Sequence, residues 1–176
     1  MSAHLILGGA RSGKSAMAAR LAASSGLRVI FVATATPGDA EMAERIAHHR
    51  RTRPPEWRVI EEPIALASAL STHAARDHFV VVDCLTLWMA NLLCDPAGGE
   101  PVFQRERRAL LDGIPHLAGP VALVGNETGL GVIPMGALNR RFVDECGWLH
   151  QELARSCDHV SLMVAGLPLT LKGSTA

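Results

Sequence analysis

Short, continuous apolar runs alternate along the chain with segments rich in Ala, Leu and Arg. The runs cover residues 4–7, 28–33, 57–61, 79–82, 121–124 and 159–164. Most of them lack an alternation of apolar and polar positions, which is typical of strands that are covered on both faces. The pattern therefore predicts six strands, of which those at residues 79–82 and 121–124 are buried.

The segments between these runs show helical periodicity. They cover residues 14–24, 40–51, 64–75, 85–93, 103–111 and 139–156. Asp39 offers an N-cap to the second helix, and the Pro54-Pro55 pair ends it. Residues 95–101 are expected to form a loop, and the chain is expected to fray after Lys172. Strands that alternate with helices predict an α/β fold with a mostly parallel sheet and helices on both faces.

The composition narrows the class of protein. A length of 176 residues suits one domain spanning 1–176, without repeats or an internal boundary. Seventeen basic residues balance seventeen acidic ones, so no overall field favours nucleic acid or an anionic membrane. No apolar run approaches the roughly 20 residues that span a bilayer. The cysteines form no C-x-x-C pair, and the chain starts without a signal-like segment; both features predict a cytoplasmic protein.

A phosphate-binding loop follows the first predicted strand and precedes the first predicted helix. It consists of Gly8, Gly9, Ala10, Arg11, Ser12, Gly13, Lys14 and Ser15, and it matches G-x-x-x-x-G-K-[ST]. The glycines let backbone N–H groups approach phosphate oxygens. Lys14 is placed to reach the β- and γ-phosphates, and the Ser15 hydroxyl to complete the coordination of Mg²⁺. The motif predicts binding of a nucleoside triphosphate.

Asp83 ends the buried run at residues 79–82. P-loop enzymes hold an acid near the metal at the end of a neighbouring strand, and Asp83 occupies that kind of position. An aspartate before a helix is also a common N-cap. Both roles remain open from the sequence, with the metal role favoured.

A basic cluster surrounds two adjacent histidines, His48 and His49. Four arginines accompany them, at positions 45, 50, 51 and 53. Three interpretations are open: a solvated basic helix end, a nucleic-acid patch, or a site that handles phosphates. The second lacks aromatic residues on which bases stack. In the third, a histidine acts as a nucleophile towards phosphorus while cations neutralise the developing charge.

Another candidate segment is the loop that follows the run at residues 121–124. It begins with Asn126-Glu127 and contains two glycines before Pro134. Glu127 could orient a substrate hydroxyl or a metal-bound water, or could simply anchor the loop. The other histidines lack metal-ligand spacing and are interpreted as structural or surface residues: His4, His73, His116, His150 and His159.

Several segments resemble one known family over nearly the whole chain. They are the phosphate loop at 8–15; Ala33-Thr34; Glu41-Met42-Ala43 with Arg45-Ile46 and His48-His49; Arg53-Pro54 with Trp57; Asp83-Cys84 with Thr86 and Asn91-Leu92; and Asn126-Glu127 with Gly129, Gly131 and Pro134. In these segments the sequence is similar to the bifunctional adenosylcobinamide kinase and adenosylcobinamide-phosphate guanylyltransferase family.

The resemblance implies an activity with two steps on a RecA-like P-loop fold. ATP or GTP, with Mg²⁺, would phosphorylate adenosylcobinamide. His48, by its place in Arg-Ile-x-His-His, would then take GMP from GTP and pass it to the corrinoid phosphate. The implied partners are these small molecules rather than nucleic acid or membrane, and the implied assembly is a homotrimer.

The resemblance also implies a set of nucleotide contacts beyond the phosphate loop. They are Thr34, Ala35, Thr36, Arg51, Thr52, Arg53, Pro54, Glu61 and Asp83, with Glu62 as an alternative to Glu61. Ser15 and Asp83 are the implied metal ligands. A P-loop ATPase that regulates another protein or binds nucleic acid is the competing hypothesis, and it would not need His48. A kinase that has lost guanylyl transfer is a nearer one, disfavoured by the intact histidine pair.

Overall fold

The computed structural model of the protein describes residues 2–36, 38, 40, 44, 47, 51, 54–94 and 99–174. Within these residues the strands are β1 (Ala3–Gly8), β2 (Arg28–Ala33), β3 (Arg58–Glu61), β4 (His78–Asp83), β5 (Val121–Asn126), β6 (His159–Val164) and β7 (Leu167–Lys172). The helices are α1 (Lys14–Ser24), α2 (Leu66–His73), α3 (Leu85–Cys94), α4 (Gly99–Gly113) and α5 (Ala137–Ser156), with a 3₁₀ turn at Ile114–His116.

The strands form one sheet in the order β3-β2-β4-β5-β1-β6-β7. Every neighbouring pair is parallel except β6 and β7, which form an antiparallel hairpin. The mostly parallel α/β fold predicted from the sequence is therefore confirmed. The carboxyl ends of β1 to β6 meet at one edge, which is where open α/β sheets bind ligands. One strand, β5, separates β1 from β4.

The apolar runs fill both faces of the sheet because successive side chains of a strand point in opposite directions. Leu5 and Leu7 pack on the same side as Trp88 and Phe103, beneath the helices after β4. Ile6 between them packs on the other side, with the core that includes Ala18 of α1. The central strands are thus buried on both faces, which explains why they show no polar alternation.

The loop predicted at residues 95–101 is partly wrong, and one strand was not predicted. The loop predicted at residues 95–101 gives way to α4 from Gly99, and residues 95–98 lie outside the described part. Pro101 is tolerated there because the first helical N–H groups have no intrahelical partner. The sequence also did not predict β7, which pairs with β6. Of the helix predicted at residues 40–51, Ala40, Glu44, Ala47 and Arg51 are helical, and the other positions are not described.

None of the helices in the described ranges is long and apolar enough to cross a membrane.

The buried histidine His4, which lies beside half-buried His159, makes the free energy of unfolding sensitive to acid. His4 on β1 is 9% exposed, its Nε2 lies 2.9 Å from Ser161 Oγ on β6, and its ring centroid lies 5.4 Å from that of His159. Burial, and then the charge of His159, lowers the pKa of His4 from 6.5 to about 4. Because the unfolded chain takes up this proton more readily, stability is lost as the pH falls from 6.5 towards 4.

Between pH 7 and pH 4.5, the free energy of unfolding of the wild type should fall by about 1–2 kcal/mol more than that of His4→Gln. Urea unfolding at both pH values measures this difference. His116→Gln is the control, because it makes the same change at an exposed histidine outside the strands. Parallel pH dependences in the wild type and His4→Gln would contradict the assignment.

Candidate active site

The phosphate loop has a backbone that requires glycine at its ends. Gly8 and Gly13 have φ values of +153° and +100°. A Cβ on Gly8 would lie 2.6 Å from both the Met163 carbonyl oxygen and the Ser12 hydroxyl. Inside the loop, Ser12 N donates to Gly9 O at 3.3 Å. This curled backbone is the form that gathers N–H groups around a phosphate.

The β6–β7 turn supports the same loop from outside. Gly166 N donates to Ser12 O at 3.0 Å, and a Cβ on Gly13 would lie 3.2 Å from Gly166 Cα. Ala165 and Gly166 both have positive φ, as a two-residue hairpin turn requires. The C-terminal hairpin therefore braces the phosphate loop, a role that the sequence did not reveal.

Lys14 is folded against the loop that it follows. It is 7% exposed, and its Nζ donates to Gly9 O at 2.5 Å and to Ser12 Oγ at 3.4 Å. Burial lowers the pKa of Lys14, while the negative charge of Asp83 works in the opposite direction. A cation with few water contacts attracts phosphate more strongly than one in bulk solvent. Lys14 is thus placed to neutralise a polyphosphate.

Ser15 and Asp83 meet at the end of the loop. The Ser15 hydroxyl donates to Asp83 Oδ2 at 2.7 Å, which links the first turn of α1 to the end of β4. At the start of α3, Cys84 Sγ accepts the N–H of Leu87 at 3.4 Å. The side-chain hydrogen bond at the start of this helix is therefore made by Cys84. The Asp83 carboxylate lies beside Ser15. Hydroxyl and carboxylate oxygens suit Mg²⁺, which needs few protein ligands beside substrate phosphates.

Thr34 fixes the peptide that follows Asp83. Its fully buried hydroxyl donates to Cys84 O at 2.7 Å and accepts from Cys84 N at 2.9 Å. Both hydrogen-bonding roles of the hydroxyl are therefore occupied. Direct contact of the Thr34 side chain with nucleotide stays a prediction, and the contacts seen are those of a residue that positions Asp83.

Asn91 on α3 joins two loops at this edge of the sheet. Its Nδ2 donates to Thr34 O at 2.7 Å and to Pro63 O at 3.1 Å, and its Oδ1 accepts from the Thr36 hydroxyl at 3.3 Å. One turn earlier, Trp88 Nε1 donates to Ile64 O at 2.7 Å. Sequence reasoning did not identify Asn91 as a site residue, although it belongs to a segment that carries the family resemblance.

The glutamate that ends β3, Glu61, and the one that follows it, Glu62, have different surroundings. Glu62 Oε1 accepts the N–H groups of Ile64 and Ala65 at 3.0 and 2.7 Å, so its carboxylate holds the turn before α2. Glu61 is exposed at the end of β3, in register with Ala33. Between the two, Glu61 is the better placed to meet a ligand at the carboxyl edge.

The remaining predicted residues divide between described and undescribed positions. Arg51 and Ala35–Thr36 are accessible to solvent, and Pro54 is half-buried. The predicted nucleophile and some of its neighbours lie outside the described residues: Arg45, His48, His49, Arg50, Thr52 and Arg53. Their roles stay predictions.

Glu127 lies beside the phosphate loop. Its backbone N donates to Gly8 O at 3.0 Å, and its Oε1 accepts from Gly129 N at 2.7 Å. Asn126 N in turn donates to Thr86 Oγ1 at 2.6 Å. Glu127 therefore does anchor its loop, and a role towards substrate stays a prediction.

Comparison with known proteins decides the family. Residues 4–171 match the family described as cobinamide kinase / cobinamide phosphate guanyltransferase. The chain is 56% identical to the bifunctional adenosylcobalamin biosynthesis protein CobP of Pseudomonas aeruginosa, over 96% of each chain. It is 35% identical to the corresponding CobU protein of Escherichia coli, over 96% of this chain and 98% of the relative. The chain belongs to this family.

Solved structures agree on the fold of this family member. The RadB recombinase has a TM-score of 0.50 at 16% identity, with 92% of this chain and 73% of that chain covered. A second solved structure, an ATPase domain, has a TM-score of 0.50 at 14% identity, with coverages of 92% and 68%. The RecA-like P-loop fold is thus confirmed. Family membership also confirms the predicted enzyme class, a cobinamide kinase and guanyltransferase of cobalamin biosynthesis.

Proposed function

We propose that this enzyme phosphorylates adenosylcobinamide and then transfers GMP to the product through a histidine. The observation that carries the proposal is the placement of Lys14 and the Ser15–Asp83 pair at the end of a braced phosphate loop. Membership of the kinase and guanyltransferase family supplies the substrates. The nucleotides are ATP or GTP for the first step and GTP for the second.

In the kinase step, the phosphate loop and Lys14 hold the triphosphate. Ser15 and Asp83 would hold Mg²⁺, which would offset the charge of the β- and γ-phosphates. The hydroxyl oxygen of the aminopropanol arm bonds to the γ-phosphorus, the bond to the β-phosphate oxygen breaks, and the nucleoside diphosphate leaves. The hydroxyl proton is released to solvent. Positioning and charge neutralisation are the contributions of the protein to such a transfer.

In the guanylyl step, a ring nitrogen of His48 bonds to the α-phosphorus of GTP, and pyrophosphate leaves. A phosphate oxygen of the phosphorylated corrinoid then bonds to the same phosphorus, the bond to the histidine breaks, and adenosylcobinamide-GDP forms. Arginines at positions 45, 50, 51 and 53 surround His48 in the sequence and offset the charge that builds up.

The proposal includes nucleotide contacts at the edge where the strands end. These are Gly8, Gly9, Ala10, Arg11, Ser12, Gly13, Thr34, Ala35, Thr36, Arg51, Thr52, Arg53, Pro54 and Glu61. Glu61, Thr34 and Asp83 end or follow neighbouring strands, which supports one nucleotide-binding edge.

We also propose a homotrimer that works in the cytoplasm, where these nucleotides are available. The edge strand β7 exposes Leu167, Leu169 and Leu171, and α5 exposes Trp148. Exposed apolar side chains of this kind favour contact between subunits. The balanced charge of the chain supports small molecules rather than nucleic acid as its ligands.

GTP labelled at the α-phosphorus tests the guanylyl-histidine directly. After incubation with Mg²⁺, the denatured wild-type protein should carry label that acid removes and alkali does not. His48→Ala should carry none and still phosphorylate adenosylcobinamide, because the two steps use different groups. The neighbouring His49→Ala is the matched control and should keep its label. Label that survives in His48→Ala and disappears in His49→Ala would move the nucleophile by one residue.

A further inference from the structure

An apolar surface lies beside the candidate active site. We call residues 129–138 the apolar loop, because this segment runs Gly-Leu-Gly-Val-Ile-Pro-Met-Gly-Ala-Leu without one charged residue. Val132 is 98% exposed and Met135 is 95% exposed, and Leu130, Ile133 and Leu138 also face solvent. Contiguous exposed apolar side chains mark a place where something binds.

The apolar loop leaves the sheet at the edge where nucleotide is expected. It starts two residues after Glu127, whose N–H bonds to Gly8 O of the phosphate loop at 3.0 Å. It belongs to the connection after β5, the strand between β1, which leads into the phosphate loop, and β4, which ends at Asp83. The loop therefore adjoins the phosphate-binding and metal-binding groups.

Polar contacts at both ends hold the loop in place. Gly129 N donates to Glu127 Oε1 at 2.7 Å. Arg140 Nη1, in the first turn of α5, donates to the carbonyl groups of Pro134 and Met135. These contacts use the backbone of the loop and leave its apolar side chains outside.

We propose that the apolar loop binds the corrin macrocycle of the acceptor substrate and that the hydroxyl-bearing arm then reaches the phosphate loop. The proposal rests on the function proposed above. The macrocycle carries many methyl groups and is much larger than the arm that reacts, so its binding requires an apolar surface next to the triphosphate. A second subunit seated on the loop would cover the edge through which both substrates enter, which favours the substrate as occupant.

The double substitution Val132→Ser with Met135→Gln tests the assignment. Both substitutions replace an apolar side chain by a polar one at the proposed contact, so the KM for adenosylcobinamide should rise by about 10–100-fold. Equilibrium dialysis against adenosylcobinamide alone should show the same loss of affinity without any turnover. Labelling by GTP in the absence of corrinoid should be unchanged, since the nucleotide does not use this surface. Val59→Ser, with a valine 41% exposed on β3, is the matched control.

Unchanged corrinoid affinity in the double variant would overturn the inference. So would dissociation of the assembly in light scattering, because the loop would then be a contact between subunits. Wild-type protein that binds corrinoid through the loop and takes no label from GTP would contradict the proposed guanylyl step and leave this inference intact.

Discussion

Lys14→Met is expected to reduce both nucleotide-dependent activities by on the order of 10²–10³-fold in a protein that stays folded. Nζ of Lys14 lies against Gly9 O and Ser12 Oγ, at the point where the β- and γ-phosphates should lie. Methionine has a similar length and removes the charge. The loss should appear in nucleotide affinity, measured with a fluorescent GTP analogue, and in the rate of corrinoid phosphorylation.

The same substitution should leave the free energy of unfolding unchanged or slightly raised. Burial lowers the pKa of Lys14, which means that the folded protein bears a cost for keeping this ammonium charged. The buried charge of Lys14 thus lowers the free energy of unfolding, and its expected use is the binding of phosphate. The chain offers a matched control because Lys172 is its other lysine, and it is exposed and bonds to Ala154 O and Arg155 O. Full activity in Lys14→Met, or equal losses in Lys172→Met, would refute the assignment.

Gly8→Ala should destabilise the protein by about 3 kcal/mol and abolish nucleotide binding. The new methyl group would meet Met163 O and Ser12 Oγ at 2.6 Å, and alanine rarely adopts the φ of +153°. Because Met163 O belongs to the backbone of β6, a side-chain rotation cannot relieve the first clash. Urea unfolding at neutral pH measures the loss.

The neighbouring glycine provides the comparison for this experiment. A Cβ on Gly9 meets nothing within 4 Å, so Gly9→Ala should change the free energy of unfolding by less than about 1 kcal/mol. Similar losses in the two variants would mean that the effect comes from the unfolded chain rather than from the clash with β6.

Most of the sheet could be predicted from apolar runs. β2 and β6 match their predicted bounds, and β1, β4 and β5 extend theirs by one or two residues. β7 escaped prediction because Pro168 breaks the strand pattern and because the turn before it is Ala-Gly, a weaker hairpin signal than Asn-Gly. β7 forms because it pairs with β6, and no local sequence pattern predicts that pairing.

The sequence indicates candidate site residues where a motif fixes the backbone, and it does not reveal those whose contacts are long-range. The phosphate loop and the carboxylate that it needs, Asp83, follow from spacing and strand position. Thr34 was expected at the nucleotide, and the structure shows its hydroxyl bound to Cys84, fifty residues away. The side-chain amide of Asn91 joins two loops through hydrogen bonds to residues that lie 28 and 57 positions away along the chain. Hydrogen bonds between residues so far apart along the chain cannot be predicted from local sequence patterns.

The brace between Gly166 and Ser12 has a consequence for the order in which the enzyme becomes complete during its synthesis. The loop placed to cradle phosphate is synthesised before β6 and before the turn that supports it. Until residues 159–172 have emerged, β1 has one neighbour instead of two and Ser12 O lacks its partner in the turn. A nascent chain therefore carries its phosphate motif before the β6–β7 turn that supports it, and we expect nucleotide affinity only once that turn has formed.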